Sequence, residues 1–182
     1  MDNGASSYRR FLDGDESAID EIMGELFYPL VFFVNRYVRD LPAAEDIAMD
    51  AMTELLVRKH RYNFRVSLKT YVFLLGKSRA LNYLKRRGRL RETELTEAEA
   101  PAEEDELERR ALDSERKRAV NAALAKLPED MRMAVHLVFF EELSYEEAAR
   151  VMKKNRKQVD NLLYRAKKTL KSLLEEKEGV QL

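Results

Sequence analysis

Apolar residues recur at helical spacing through most of this chain. From Ile19 they fall at Ile22, Met23, Leu26, Phe27, Leu30, Val31, Val34 and Val38, a stripe on one face that Asp15 or Ser17 can cap. Pro29 sits inside that stripe and predicts a kink or a split, because proline lacks the amide that the helical ladder needs. A further helix is expected from near Pro42, a favourable first-turn residue, to about Arg58. Another begins after Ser67 and runs to about Arg87, with Leu68, Val72 and Leu75 on one face. Helices resume near Ser114, where Pro128 separates Val120, Leu124 and Leu127 from Met131, Ala134, Val135 and Val138. Glycine and proline are scarce, at six and four residues, and no alternating strand pattern or internal repeat emerges.

The stretch from Glu92 to Glu108 breaks this pattern. It has few large apolar residues, a proline and many acids, so it cannot bury enough surface to fold alone and reads as a flexible tether. The expected fold is therefore all-α, with two small helical domains joined by an acidic linker. Its boundaries are residues 1–91, the linker 92–113, a helix-turn-helix domain 114–176 and a tail 177–182.

Length and composition agree with that layout. The 182 residues suit one ordinary domain or two small ones, and 36% charged residues suit small domains with much surface. No apolar run reaches the length of a membrane span, and Met1 to Arg10 lacks the apolar stretch of a signal peptide. With no cysteine, disulfides, thiolate metal sites and thiol nucleophiles are excluded. A cytoplasmic location is the expectation.

The net charge of zero hides a strong segregation. Gly76 to Arg91 carries seven bases and no acid, Glu92 to Glu108 nine acids and no base, and Arg150 to Lys171 nine bases against Asp160 alone. Two basic blocks around an acidic stretch fit a nucleic-acid binder, although basic helix faces are usually only solvated.

The sharpest local signal runs from Leu143 to Met152. Ser144 and Glu147 match a capping box, and Ala148 and Ala149 let a neighbouring helix approach. A polar turn, Lys153 to Asn155, leads to a second helix from about Arg156 to Glu175. Its apolar stripe is Val159, Leu162, Leu163, Ala166, Leu170 and Leu173, and its opposite face carries Lys157, Asn161, Tyr164 and Lys168. This is the form of a DNA-binding helix-turn-helix. Lys157, Gln158 and Asn161 can reach base edges, while Arg165, Lys167 and Lys168 suit phosphates. Asp160 suits either a cytosine amino group or a neighbouring cation such as Arg156. A helical hairpin with a solvated basic surface is the plainer alternative.

In the first domain, Lys69, Phe73, Lys77, Leu84 and Arg87 fall on the side away from Leu68, Val72 and Leu75. Tyr62, Phe64, Tyr71 and Phe73 place rings beside the basic block, a combination that suits unstacked bases, although core packing accounts for most such rings and is favoured for Tyr71. Asp46, Asp50 and Glu54 repeat every four residues and share a face with Glu45 nearby, as either a partner surface or a helix-dipole complement.

Together these segments resemble the extracytoplasmic-function group of the sigma-70 family. AAEDIAMDAMTELLVRK (Ala43 to Lys59) resembles the acidic helix that docks on the polymerase β′ clamp. SLKTYVFLLGKSRALNYLKRR (Ser67 to Arg87) resembles the promoter-melting, −10-reading helix. Leu127 to Leu174 resembles the domain that reads the −35 element. The resemblance implies a non-catalytic subunit that binds core RNA polymerase at the β′ clamp and β flap and directs it to promoter DNA. Glu45, Asp46, Asp50 and Glu54 would meet the clamp. Tyr62, Phe64, Lys69, Phe73, Lys77, Asn82, Lys85, Arg86 and Arg87 would serve the opened −10 element, with the loop from Tyr62 to Ser67 pocketing a flipped base. Arg156, Lys157, Gln158, Asn161, Arg165 and Lys168 would serve the −35 element, and the acidic tether would thread the polymerase channel. An anti-sigma protein is a further partner that the resemblance implies; no metal or cofactor is expected.

The chain departs from the family where Lys153 and Lys154 occupy the turn, where Asp160, Asn161 and Leu162 replace a lysine-serine-arginine run, and where Leu56 and Tyr71 replace tryptophans. A lysine in that turn predicts an altered shape, since positive φ disfavours side chains. Two other functions fit the chain less well. An autonomous helix-turn-helix regulator would need neither the tether nor the second basic helix. An enzyme would need chemistry that His60 and His136, far apart and without metal-ligand spacing, do not supply.

Overall fold

The computed structural model describes residues 4–93 and 115–178, and the chain divides into two units, Met1–Ala102 and Glu103–Leu182. The described residues are helical and contain no strand, as the periodicity predicts. Most of the expected tether (from residue 94) and the end of the tail (from residue 179) lie outside them. None of the described helices is long and apolar enough to cross a membrane.

Among the described residues the first unit contains four helices, α1 (Ala5–Leu12), α2 (Ser17–Val38), α3 (Leu41–Val57) and α4 (Leu68–Thr93), with a short 3-10 turn at Lys59–Arg61. α1 has no counterpart in the apolar pattern, because its one deeply buried ring, Tyr8, is flanked by polar residues. Neither Asp15 nor Ser17 is the N-cap of α2, which is Glu16 without a side-chain cap bond; Asp15 instead braces the entry to the helix by accepting from the Ser17 amide at 3.0 Å and hydroxyl at 2.6 Å. Pro29 does not split α2, which runs unbroken for 22 residues. Leu26, Leu30, Val31, Phe33 and Val34 are buried around it, and their packing offsets the lost hydrogen bond. Arg39 ends α2 in the left-handed region (φ 52), and Asp40 starts α3 by accepting from Ala43 N at 3.1 Å, with Pro42 in the first turn.

α4 is rotated from the expected face. Leu68, Val72, Phe73, Gly76 and Ala80 are buried, whereas Leu75 is only half-buried. The cause is Gly76. A Cβ built there would stand 2.7 Å from Leu30 Cδ1 and 3.1 Å from Val34 Cγ2, so α2 and α4 meet closely at this point. Turning the glycine inward carries Phe73 with it, onto Phe33 in a stack with centroids 4.7 Å apart.

The second unit contains α5 (Glu115–Ala125), α6 (Glu129–Val135), α7 (Tyr145–Met152) and α8 (Arg156–Glu178). Beyond α6 the chain widens into a π turn, His136–Phe140, that periodicity does not announce. It buries His136 beside Glu141, with Nε2 and Oε1 3.3 Å apart, and leaves Phe139 and Phe140 exposed. The structural reading of His136 therefore stands. α7 begins with the full capping box: Glu147 N donates to Ser144 Oγ at 3.2 Å, and Ser144 N to Glu147 Oε2 at 3.0 Å.

Candidate nucleic-acid interface

The turn between α7 and α8 keeps the left-handed geometry that a glycine would favour. Lys153 adopts φ 56, ψ 43, and Lys154 N donates back to Ala149 O at 2.9 Å. The lysine therefore does not change the turn's form; it holds the same form at a steric cost of about 1 kcal/mol.

α8 presents two faces. Val159, Leu163 and Ala166 are buried against the unit, while Lys157, Asn161, Tyr164, Arg165 and Lys168 are exposed, Tyr164 at 71%. Gln158 has a job of its own. Its Oε1 accepts from Asn155 N and its backbone N donates to Asn155 Oδ1, both at 2.8 Å, so it closes a second reciprocal cap. Arg156 pairs with Glu146 at 2.8 Å rather than with Asp160.

In the first unit the expected base-binding residues separate. Phe73 is fully buried, and Tyr62 is 4% exposed, so neither ring offers a face to a base. Phe73 is lost to the core through the rotation of α4. Tyr62 instead straps the following loop, its hydroxyl donating to Val66 O at 2.7 Å. Phe64 is half-buried in the left-handed region at φ 59, against Tyr62 (4.6 Å between centroids) and Tyr8 (6.2 Å). Asn82, Lys85 and Arg86 form an exposed group on α4. Arg87 reaches Asp40 at 3.7 Å, Lys77 lies over the Tyr37 ring at 5.8 Å, and Lys69 is half-buried.

On α3 the acids also separate. Glu45, Asp46 and Asp50 are exposed. Glu54, 16% exposed, takes hydrogen bonds from Arg79 at 2.7 Å and Arg58 at 2.9 Å, which hold its carboxyl below the ordinary glutamate range. Met49 and Val57 are 46% and 75% exposed and, three and eleven residues beyond Asp46, extend its stripe. Helical arithmetic applied to apolar as well as acidic residues would have found them.

Residues 22–90 match sigma-70 region 2, and residues 117–170 match sigma-70 region 4. The chain belongs to the sigma-70 family. Carrying both regions in this order, as the ECF sigma factors it is similar to do, it is an alternative sigma factor of the extracytoplasmic-function type. The RNA polymerase sigma-H factor of Pseudomonas aeruginosa is 27% identical over 171 residues, with 89% of each chain covered. The ECF RNA polymerase sigma-E factor of Escherichia coli is 28% identical, with 79% of each covered. Among solved structures, the sigma factor RpoE from Bartonella quintana, in complex with the anti-sigma factor NepR, superposes with a TM-score of 0.61 at 21% identity, covering 86% of this chain and 96% of that one. That likeness supports the helical fold.

Proposed function

We propose that this sigma factor docks on core RNA polymerase through the exposed face of α3, receives the unpaired −10 strand on α4 and the 62–66 loop, and reads the −35 element with α8. The carrying observation is the α3 stripe. Asp46, Met49, Asp50 and Val57 are all exposed on one side of a helix whose other side buries Ala44, Ile47, Ala48, Ala51 and Met52. Apolar residues rimmed by acids suit a protein partner. An autonomous DNA-binding regulator has no use for such a face beside a helix-turn-helix.

Glu54 belongs to the unit's own scaffold in this reading, and the clamp contacts fall to Glu45, Asp46 and Asp50. Asn82, Lys85 and Arg86 hold the single strand through charge, with Arg87, Lys69 and Lys77 beside them. On α8, Lys157 and Asn161 face base edges, Arg165 and Lys168 face phosphates, and Gln158 and Arg156 shape the helix start. The protein acts as a binding subunit without chemistry of its own, in the bacterial cytoplasm where polymerase works. An anti-sigma protein as a further partner is supported by the Bartonella complex.

Co-elution of the full chain with core polymerase at moderate salt tests the reading. Stoichiometric co-elution that weakens at least tenfold in Asp46→Ala/Asp50→Ala supports it. Tight duplex binding by the chain alone, without co-elution, overturns it in favour of the autonomous regulator.

A further inference from the structure

α1 lies outside the region 2 match, which begins at Ile22. Its packing nonetheless builds the 62–66 loop. The Tyr8 hydroxyl lies 2.9 Å from both Leu55 O and Lys59 O and donates between them, pinning the end of α3 and the turn that leads into the loop. The Tyr8 ring meets Tyr62 edge-on at 5.3 Å, and Tyr62 closes the loop through Val66 O. Within the closed loop, Arg65 N donates to Asn63 Oδ1 at 3.2 Å, and Phe64 holds a left-handed conformation that only a well-determined surrounding maintains.

The two arginines of α1 differ in what they do. Arg10 is tied down, with Asp15 at 2.6 Å and Glu21 at 2.8 Å. Arg9 is exposed and has no carboxylate partner among the described residues. Its guanidinium carbon lies 4.9 Å from the Phe64 ring centroid, a cation held over the strained residue of the loop. Arg65, exposed on the same loop, likewise has no carboxylate partner among the described residues. A cation that the fold positions without a carboxylate among the described residues is open to an anion from outside.

We propose that Arg9 is a phosphate-binding residue of the single-strand site, gripping the DNA backbone beside the nucleotide that the 62–66 loop receives. This rests on the reading of the first unit as the −10 strand binder. Phosphate contacts hold register without reading bases, so Arg9 contributes affinity and leaves base preference alone. Phe64 and Tyr8 are positioning residues, acting through the place they give Arg9 and the loop.

The test uses holoenzyme assembled from core polymerase and the full chain. Its probe is fork-junction DNA carrying the −10 sequence that the wild-type holoenzyme selects from a randomised pool. Affinity is measured across a range of salt. One lost phosphate contact on a single strand makes the plot of log affinity against log salt shallower by about 0.7. That flattening is expected for Arg9→Gln, with Arg9→Lys retaining the wild-type slope and Arg10→Gln leaving it unchanged. A wild-type slope in Arg9→Gln, or equal flattening in Arg10→Gln, overturns the contact. A merely structural Arg9 would lower affinity equally at every salt concentration, which also overturns it. If the wild-type holoenzyme selects no sequence from the pool, the underlying reading of the first unit fails instead.

Discussion

Arg79 of α4 and Glu54 of α3 form the ion pair that ties these two helices together, Nη2 to Oε2 at 2.7 Å, with Asp50 3.2 Å from the same guanidinium. Arg58 and Arg61 complete the cluster around Glu54. Arg79 supplies the hydrogen bond that chiefly lowers the Glu54 pKa. A carboxylate with a lowered folded pKa contributes stability above its ordinary titration range and loses it as pH falls through the lowered value. Arg79→Ala is expected to cost about 1–2 kcal/mol near neutral pH. Urea denaturation of Glu54→Gln should show less acid sensitivity than the parent below the ordinary glutamate value of 4.5. Identical acid limbs would contradict this role for Glu54.

Tyr8 gives the opposite pH signature. Burial, with Tyr71 and Tyr62 nearby, pushes its hydroxyl up to about 12 from an ordinary 10.0. Its neutral form is the one the fold favours, so its contribution is full below pH 10 and fades as pH rises toward 12. Tyr8→Phe should cost about 1 kcal/mol at neutral pH through the lost hydrogen bond. Thermal melts above pH 10 should then converge on those of the parent.

Gly76→Ala opposes two effects. Alanine favours a helix interior by about 1 kcal/mol over glycine. The new Cβ, however, meets Leu30 Cδ1 at 2.7 Å and Val34 Cγ2 at 3.1 Å, both on fully buried side chains. Overpacking of this kind costs about 1–3 kcal/mol, so net destabilisation of about 1 kcal/mol is expected in equilibrium unfolding. Gly88, with nothing near its Cβ, should become more stable as alanine.

On α8, neighbouring residues should fail differently. Gln158→Ala removes half of the Asn155 cap and should cost about 1 kcal/mol of stability while leaving the preferred −35 sequence unchanged. Asn161→Ala should leave stability intact and relax selection at one base position by about 1–3 kcal/mol. Selection from a randomised −35 library, together with melts of each variant, separates the two. A shifted base preference in Gln158→Ala alone would reverse the assignment.

Much of this protein was legible from residues close together in the chain. The Ser144–Glu147 capping box, the two-faced α8 and the ends of α3 rest on neighbours within one or two turns, and they appear where the periodicity placed them. The all-helical fold and, apart from α1 and the π turn, the order of its elements follow from the same local signals. Tertiary structure decided what required distant partners. Which side of α4 turns inward depended on Leu30 and Val34 meeting Gly76, and that choice took Phe73 from the strand-binding face into the core. The burial of Glu54 within a cluster of arginines, against the largely exposed Asp50 that touches Arg79 only at its edge, depended on Arg79, 25 residues along the chain from Glu54. The purpose of α1 depended on Tyr8 bonding carbonyls 47 and 51 residues away. Helical spacing states which residues share a face, but the partner that covers a face is set by close packing and by long-range ion pairs.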